Sequence, residues 1–151
     1  MFSKSSTYIF FFLLVCFALI QLKRPEIKAY TVPSEESFNV AFQVPSEVQS
    51  ILRTSCYDCH SNETTYPWYS KIQPMAWWME QHIVEGKEKL NFDEVATYGT
   101  RKKRSKFKQI INQIQQGKMP LTSYTLMHKG TALTKEEEEI LIRYFNSLVK
   151  P

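Results

Sequence analysis

The sequence predicts an all-α protein, and two observations point to this class. Apolar residues recur at intervals of three and four in several segments, which is the period of an amphipathic helix. No segment shows the sustained apolar–polar alternation of a strand or the two-residue turn of a hairpin. With 151 residues, and an apolar N-terminal stretch expected to lie outside the fold, the chain is long enough for one small helical domain.

Composition narrows the classes of function. The 19 Lys and Arg residues against 15 Asp and Glu give a formal charge of +4, which is too small and too dispersed to indicate a nucleic-acid-binding protein. This mildly basic surface suits acidic partners or anionic lipid equally well. Aromatic residues make up 14% of the chain, enough to form the wall of a large apolar ligand site. The three cysteines, Cys16 alone and Cys56 with Cys59, do not indicate a disulfide framework.

The N-terminus carries an apolar run at residues 8–20. The run is shorter than the ~20 residues of a membrane span but matches the apolar part of an export signal. Because no small-x-small cleavage site follows at once, residues 1–24 are predicted to be a signal peptide or, preferably, an uncleaved membrane anchor. The basic residues Lys23, Arg24 and Lys28 follow the run, opposite to the usual positive-inside bias. The expected location is the periplasmic side of a bacterial inner membrane, anchored or secreted.

The next segment predicts a tether followed by the folded domain. Residues 25–45 contain three prolines and no sustained period. We therefore expect a tether over residues 25–44 and the domain over residues 45–151. Its first helix is expected to be capped by Ser46 and to present Val48, Ile51 and Leu52 before it reaches Cys56.

Three more helices are expected beyond a proline- and aromatic-rich loop at residues 61–73. The first starts at Pro74, presents Met75, Trp78, Met79, His82 and Ile83 on one face, and is expected to stop at Gly86. A short helical turn is expected within residues 92–98. The next helix carries the basic stretch 101–108, presents Phe107, Ile110, Ile111 and Ile114 on its apolar face, and ends at Gly117. The last opens with the capping box of Thr134 and Glu137. Its expected buried stripe comprises Ile140, Leu141, Tyr144, Phe145 and Leu148.

Residues 56–60 form the motif C-x-x-C-H, which is typical of covalent attachment of c-type haem. Two thiols one turn apart suit the vinyl groups on one porphyrin edge, and the following imidazole suits the iron. Two alternatives are weaker. A thioredoxin-like redox centre expects a βαβ context, which the sequence lacks. A zinc site expects a second pair of ligands, and none has the spacing for it. The prediction is one covalent haem c held by Cys56, Cys59 and His60.

An electron-transfer haem needs a sixth iron ligand, and Met119 is the preferred candidate. It follows Gly117 and precedes Pro120 in a loop just beyond a helix end, where the thioether is able to point inward. A thioether ligand raises the reduction potential. His128 is the strongest rival and His82 the next, so a bis-histidine centre stays open.

Groups around the haem are also predicted. The His60 ring N–H is expected to donate to a carbonyl of the loop near Pro67 or Pro74. Five aromatic residues are candidates for lining the haem or reaching its propionates: Trp68, Tyr69, Trp77, Trp78 and Tyr124. The basic stretch 101–108 is either a docking surface for an acidic redox partner or, preferably, a solvated helix face.

Residues 56–64 (CYDCHSNET) and 66–72 (YPWYSKI) resemble the small bacterial haem-binding domain family, which is similar in layout to class I cytochromes c. Residues 117–120 (GKMP), Tyr124 and the region around His128 and Thr134 resemble it as well. The resemblance implies a cytochrome c-like helical domain, attachment at Cys56 and Cys59, His60 as the proximal ligand and Met119 as the distal one. Val95 departs from the tryptophan expected at that position.

The resulting functional hypothesis is a monohaem cytochrome c that passes single electrons between redox proteins outside the cytoplasm, with the N-terminal segment in contact with the membrane. No catalytic acid, base or nucleophile constellation is visible, which favours an electron carrier over an enzyme. The runner-up is a haem-based sensor or a small peroxidase-like enzyme with an open sixth position. A third possibility is an interaction module without haem. Electron transfer itself rests on analogy between folds.

Overall fold

The computed structural model describes residues 4–23 and 37–150, and within these ranges it contains helices and no strands. The predicted all-α class is confirmed. The α-helices in chain order are α1 Lys4–Ile20, α2 Phe38–Ala41, α3 Ser46–Ser55, α4 Tyr57–His60, α5 Met75–Lys89, α6 Thr100–Gln115, α7 Thr122–Met127 and α8 Lys135–Val149. Short 3-10 helices lie at Trp68–Lys71 and Val95–Thr97.

Helix α1 is apolar, and none of its residues is buried. Within the described parts of the chain, no helix combines the length and apolar character needed to cross a bilayer. The segment after α1 is bonded to the start of α5, because the Gln73 and Trp77 side chains both donate to the Lys23 carbonyl, at 2.9 and 3.0 Å. The signal peptide or anchor predicted for residues 1–24 stays a prediction.

The predicted start of the domain at Pro45 is wrong, because the core includes residues that precede it. Phe38 is 1% exposed, and its ring stacks on that of Phe145 with centroids 5.9 Å apart. Its N–H donates to the Phe92 carbonyl at 3.0 Å. Helix α2 has four residues, too few to produce the periodic pattern by which a helix is predicted. Most of the predicted tether, residues 25–36, lies outside the described residues.

The core is built on α6 and α8, which pack against each other. The predicted stripes are confirmed at Phe107, Ile111 and Ile114 of α6 and at Leu141 and Phe145 of α8, all of which are buried. The capping box predicted for α8 is also present, since the Thr134 side chain accepts from the Glu137 N–H and the Glu137 carboxylate accepts from the Thr134 N–H. Helix α3, which leads into the C-x-x-C-H segment, packs against α8.

The predicted end of α5 at Gly86 is wrong, because the helix continues through Gly86 to Lys89. Its buried face is formed by Ala76, Ile83 and Gly86, whereas Trp78, predicted on the inner face, is 42% exposed. Gly86 is therefore a helix-interior glycine, which normally costs stability. The reason for its presence is a close approach described below.

Candidate functional site

The two cysteines lie at the junction of α3 and α4. Helix α3 ends at Ser55, and the His60 N–H donates to the Cys56 carbonyl at 3.0 Å, which closes one turn over the motif. The buried Tyr57 ring anchors this turn, since its hydroxyl donates to Asn39 Oδ1 at 2.7 Å. Helix α3 therefore leads directly to Cys56, as predicted, whereas Cys59 lies in the separate short helix α4.

Both thiols are free, and their surroundings disfavour the thiolate form. Burial raises the pKa of Cys56 to about 12 and that of Cys59 to about 11. A thioredoxin-like centre depends on a lowered thiol pKa, so this environment does not fit that alternative. Within residues 4–23 and 37–150, no three His, Cys, Asp or Glu side chains form a group suited to a metal ion.

The His60 ring is fixed by two backbone carbonyls of the α5 C-terminus. Its Nδ1 lies 3.0 Å from the Gly86 carbonyl and 3.0 Å from the Leu90 carbonyl. Carbonyl oxygens only accept, so Nδ1 carries the proton and Nε2 keeps its lone pair for a ligand. Burial also lowers the pKa of His60, which favours the neutral ring. The predicted carbonyl acceptors near Pro67 and Pro74 are wrong, because the end of α5 supplies both carbonyls.

Gly86 allows α5 to touch the cysteine turn. A Cβ atom at this position would lie 2.5 Å from the Cys59 carbonyl oxygen and 3.3 Å from the Cys59 Cβ. Any side chain would therefore push α5 away and remove the carbonyls from His60. The sequence does not predict this close approach, because a contact between Gly86 and Cys59, 27 positions apart, leaves no local pattern.

A cavity of about 380 Å³ opens beside this turn and is lined by Cys56, His60 and Met119. Its apolar wall comes from helices α3, α6 and α8 and from the segments that connect helices. The wall residues are Leu52, Leu90, Phe92, Ile110, Ile114, Pro120, Leu133 and Leu141. A second cavity of about 200 Å³ is also lined by Cys56, His60 and Met119, and adds Cys59, His82 and Tyr124. The predicted attachment residues, Cys56 and Cys59, and the predicted axial ligands, His60 and Met119, thus lie around these two cavities.

Met119 reaches this space from the loop between α6 and α7. Gly117 has φ +61°, and the following Lys118 N–H donates to the Gln113 carbonyl at 2.9 Å. This left-handed turn ends α6 and sends the chain back toward the cysteines. Met119 is half-buried and lines both cavities together with His60.

The two rival histidines differ in availability. Both ring nitrogens of His128 are engaged, Nδ1 with the Tyr124 carbonyl at 3.1 Å and Nε2 with the Tyr69 hydroxyl at 2.9 Å. His128 lines neither cavity that contains His60. His82 lines the smaller one, where its Nδ1 lies 2.8 Å from the Trp78 carbonyl and its Nε2 has no hydrogen-bond partner among the described residues. The geometry therefore ranks His82 above His128 as an alternative ligand, the reverse of the predicted order.

A comparison with protein families matches residues 15–147 to the Haem-binding domain family. The chain belongs to this haem-binding domain family. Comparisons with curated proteins and with solved structures give no significant match. The matched range covers the cysteine turn, both cavities and helices α2 to α7 entirely, so the predicted family is confirmed and the protein binds haem.

The side chains of this haem-binding domain fit the cofactor. The apolar wall suits the porphyrin, and His60 presents an unprotonated nitrogen. Lys89 and Lys106 also line the larger cavity, and such cations suit the haem carboxylates. Lys106 belongs to the basic stretch 101–108, of which Arg101, Lys102, Arg104 and Lys108 are exposed on the outside of α6.

Of the five aromatic residues predicted near the haem, Tyr124 alone lines a cavity that contains His60. Its hydroxyl donates to Asp58 Oδ2 at 2.7 Å, and burial raises its pKa far above the usual value, which keeps the hydroxyl protonated. Trp68 is 76% exposed, and Tyr69, Trp77 and Trp78 line neither cavity. Those four predictions are not supported by the geometry.

Proposed function

We propose that this haem-binding protein is a monohaem c-type cytochrome that passes single electrons outside the cytoplasm. Cys56 and Cys59 attach the haem covalently, His60 is the proximal ligand and Met119 the distal one. The observation that carries the proposal is the His60 ring, whose Nδ1–H is held by two carbonyls while the ring lines the same cavities as Met119. A haem with two axial ligands supplies a reversible one-electron change of its iron.

The thiols support covalent attachment. Cys56 and Cys59 lie on one turn beside the apolar cavity, and their raised pKa values keep them as thiols until they react. In this proposal each thiol adds its S–H across one vinyl C=C bond of the haem edge, and the two thioethers join the macrocycle to the turn between α3 and α4. Oxidation to a disulfide would compete with this reaction.

The location outside the cytoplasm is part of the same proposal. It draws support from the apolar run at residues 8–20 and from the C-x-x-C-H motif. We propose that the N-terminal segment holds the protein at the periplasmic face of the inner membrane. Redox proteins with an acidic surface are the proposed partners, since Arg101, Lys102, Arg104 and Lys108 are exposed near the lysine-lined rim of the larger cavity.

Covalent attachment is tested by haem-stained denaturing electrophoresis after expression with a cytochrome c maturation system. We expect wild type to retain the stain and the Cys56→Ala/Cys59→Ala variant to lose it. Cys16→Ala is the matched control, because Cys16 lies on α1 and lines neither cavity with His60. A colourless wild type whose two thiols remain open to alkylation after unfolding would refute covalent attachment.

The axial ligands are tested by absorption spectra of both oxidation states. We expect low-spin bands in wild type and a near-infrared sulfur-to-iron band that disappears in Met119→Ala. Met127→Ala is the control, because Met127 is 51% exposed and lines neither cavity with His60. A wild type without that band, or with the band intact in Met119→Ala, would contradict ligation by Met119.

One observation favours a second function. His82 lines the smaller cavity, and within the described part of the chain its Nε2 makes no hydrogen bond. A distal residue that acts on a ligand bound to iron needs such an available nitrogen. A haem-based sensor or small peroxidase-like enzyme would use it in this way. A high-spin ferrous wild type that binds carbon monoxide would favour this function over electron transfer.

A further inference from the structure

The loop that carries Met119 is tied to the C-x-x-C-H turn by one tyrosine. The Tyr124 hydroxyl donates to Asp58 Oδ2 at 2.7 Å, and Asp58 is the residue between Tyr57 and Cys59 in the motif. The other Asp58 oxygen accepts from the Thr65 N–H at 2.9 Å, and the Asp58 carbonyl accepts from the Thr64 hydroxyl at 2.8 Å. Asp58 is thus a fixed acceptor, and the bond to it is charge-assisted.

Tyr124 is well placed to control the position of Met119. Helix α7 starts three residues after Met119, and the Tyr124 N–H donates to the Leu121 carbonyl at 2.9 Å, so the tyrosine moves with the loop. The tyrosine ring is itself held, because it stacks on His128 with centroids 4.3 Å apart. The other end of the loop is fixed by the turn at Gly117.

We propose that the hydrogen bond between Tyr124 and Asp58 is a latch that keeps the Met119 loop closed over the haem and so keeps the thioether on the iron. The inference rests on the proposed function, since it requires Met119 to be the distal ligand. Tyr124 is a positioning residue that acts through Met119. When the latch is absent, the loop spends more time open and an external ligand competes more successfully for the sixth position.

The experiment is a titration of the ferric, covalently loaded protein with imidazole, together with the near-infrared spectrum. Tyr124→Phe removes the donor and keeps the ring. We expect it to raise the apparent affinity for imidazole roughly ten- to hundredfold, which is the equilibrium effect of losing a hydrogen bond to a charged group. The sulfur-to-iron band weakens in parallel. Haem-stained gels check that attachment is unchanged.

Tyr144→Phe is the matched control, because the Tyr144 hydroxyl is buried without a hydrogen-bond partner in the described part of the chain. It should bind imidazole as wild type does. Asp58→Ala should reproduce the Tyr124→Phe effect, and the double variant should add little to either single one. Asp58→Asn loses the charge and one of the two acceptor oxygens but keeps the size of the side chain, so its imidazole affinity should lie between those of wild type and Asp58→Ala, which separates the latch from a general loss of packing.

The outcomes distinguish the latch from the proposed function. Wild-type imidazole binding in Tyr124→Phe, when Met119→Ala binds imidazole more tightly, would overturn the latch and leave Met119 as the ligand. Equal effects of Tyr124→Phe and Tyr144→Phe would also overturn it. A wild type whose spectrum and imidazole affinity do not depend on Met119 would overturn the ligand assignment and the latch together.

Discussion

The cavity that we propose holds the haem has two sides, called proximal and distal after the proposed ligands His60 and Met119, and the two are constructed differently. The proximal side, formed by Cys56 to His60 and the C-terminal turn of α5, is fixed by backbone, since two carbonyls hold the His60 ring and Gly86 brings them close. The distal loop, residues 118–121, is fixed by the turn at Gly117 and by one side-chain bond from Tyr124. Substitution on the proximal side acts by displacing packed backbone, as at Gly86, whereas on the distal side it can remove one side-chain bond, so the distal side is the one that small sequence changes tune.

The largest effect should come from a methyl group added on the proximal side. Gly86→Ala places a Cβ 2.5 Å from the Cys59 carbonyl, and overpacking against backbone should cost about 3 kcal/mol of folding free energy. The helix preference of alanine offsets only about 1 kcal/mol of this. Urea unfolding of the protein measures the loss, and haem staining should fall with it.

Gly99→Ala is the control for this substitution, because a Cβ there meets nothing within 4 Å. It should change the free energy of unfolding by less than about 1 kcal/mol. Equal stability of Gly86→Ala and wild type would mean that the close approach of α5 is not what positions His60.

The next effect is on the alkylation rates of the Cys56 and Cys59 thiols in the haem-free protein. With pKa values of about 12 for Cys56 and about 11 for Cys59, both stay protonated at pH 8, and iodoacetamide should alkylate them more than tenfold more slowly than in unfolded protein. The rate should rise as the pH approaches 11 to 12. Mass spectrometry of timed samples resolves the two sites. Rates equal to those in urea would show that the proximal side is open without haem.

The sign of the linked stability follows from the same pKa values. The unfolded thiols titrate near the ordinary value of 9.0, below their folded values. Their contribution to folding is therefore complete below pH 9 and is lost as the pH rises toward 11 to 12. The haem-free Cys56→Ala/Cys59→Ala variant should show a smaller loss of stability over that range, which a urea series from pH 8 to 11 compares with wild type.

The sequence predicted the parts of this site that depend on local pattern. The C-x-x-C-H turn, the stripes of α6 and α8 and the capping box at Thr134 each occupy consecutive or regularly spaced positions. The parts that it missed depend on contacts between distant segments. Phe38 lies in a helix too short to show a period. Gly86 has the local pattern of a helix end, whereas its contact with Cys59 leaves no pattern in the sequence. Likewise, the hydrogen bond at Nε2 of His128 joins it to Tyr69, 59 residues away.

A smaller effect on stability and imidazole affinity should follow from a side chain added at Gly117, in the turn before the distal loop. Gly117 has φ +61°, and Gly117→Ala should cost about 1 kcal/mol, the usual penalty for a side chain in the left-handed region. Because nothing lies within 4 Å of the new Cβ, the cost is conformational, and it should appear as a modest rise in imidazole affinity with normal haem staining. A loss of haem staining in this variant would show that the two sides are not independent.

The smallest effect separates the rival ligands. If Met119 holds the sixth position, His82→Ala should leave the low-spin spectrum unchanged and alter imidazole affinity by less than about twofold, because an unligated side chain lining the cavity contributes little to the competition. The same substitution combined with Met119→Ala should matter more, since His82 lines the smaller cavity with His60 and is then the favoured alternative ligand. A high-spin spectrum in the His82→Ala single variant would instead identify His82 as the distal ligand. It would place the second axial bond on α5, the helix that already holds His60, and the contrast between a backbone-fixed side and a tunable loop would then disappear.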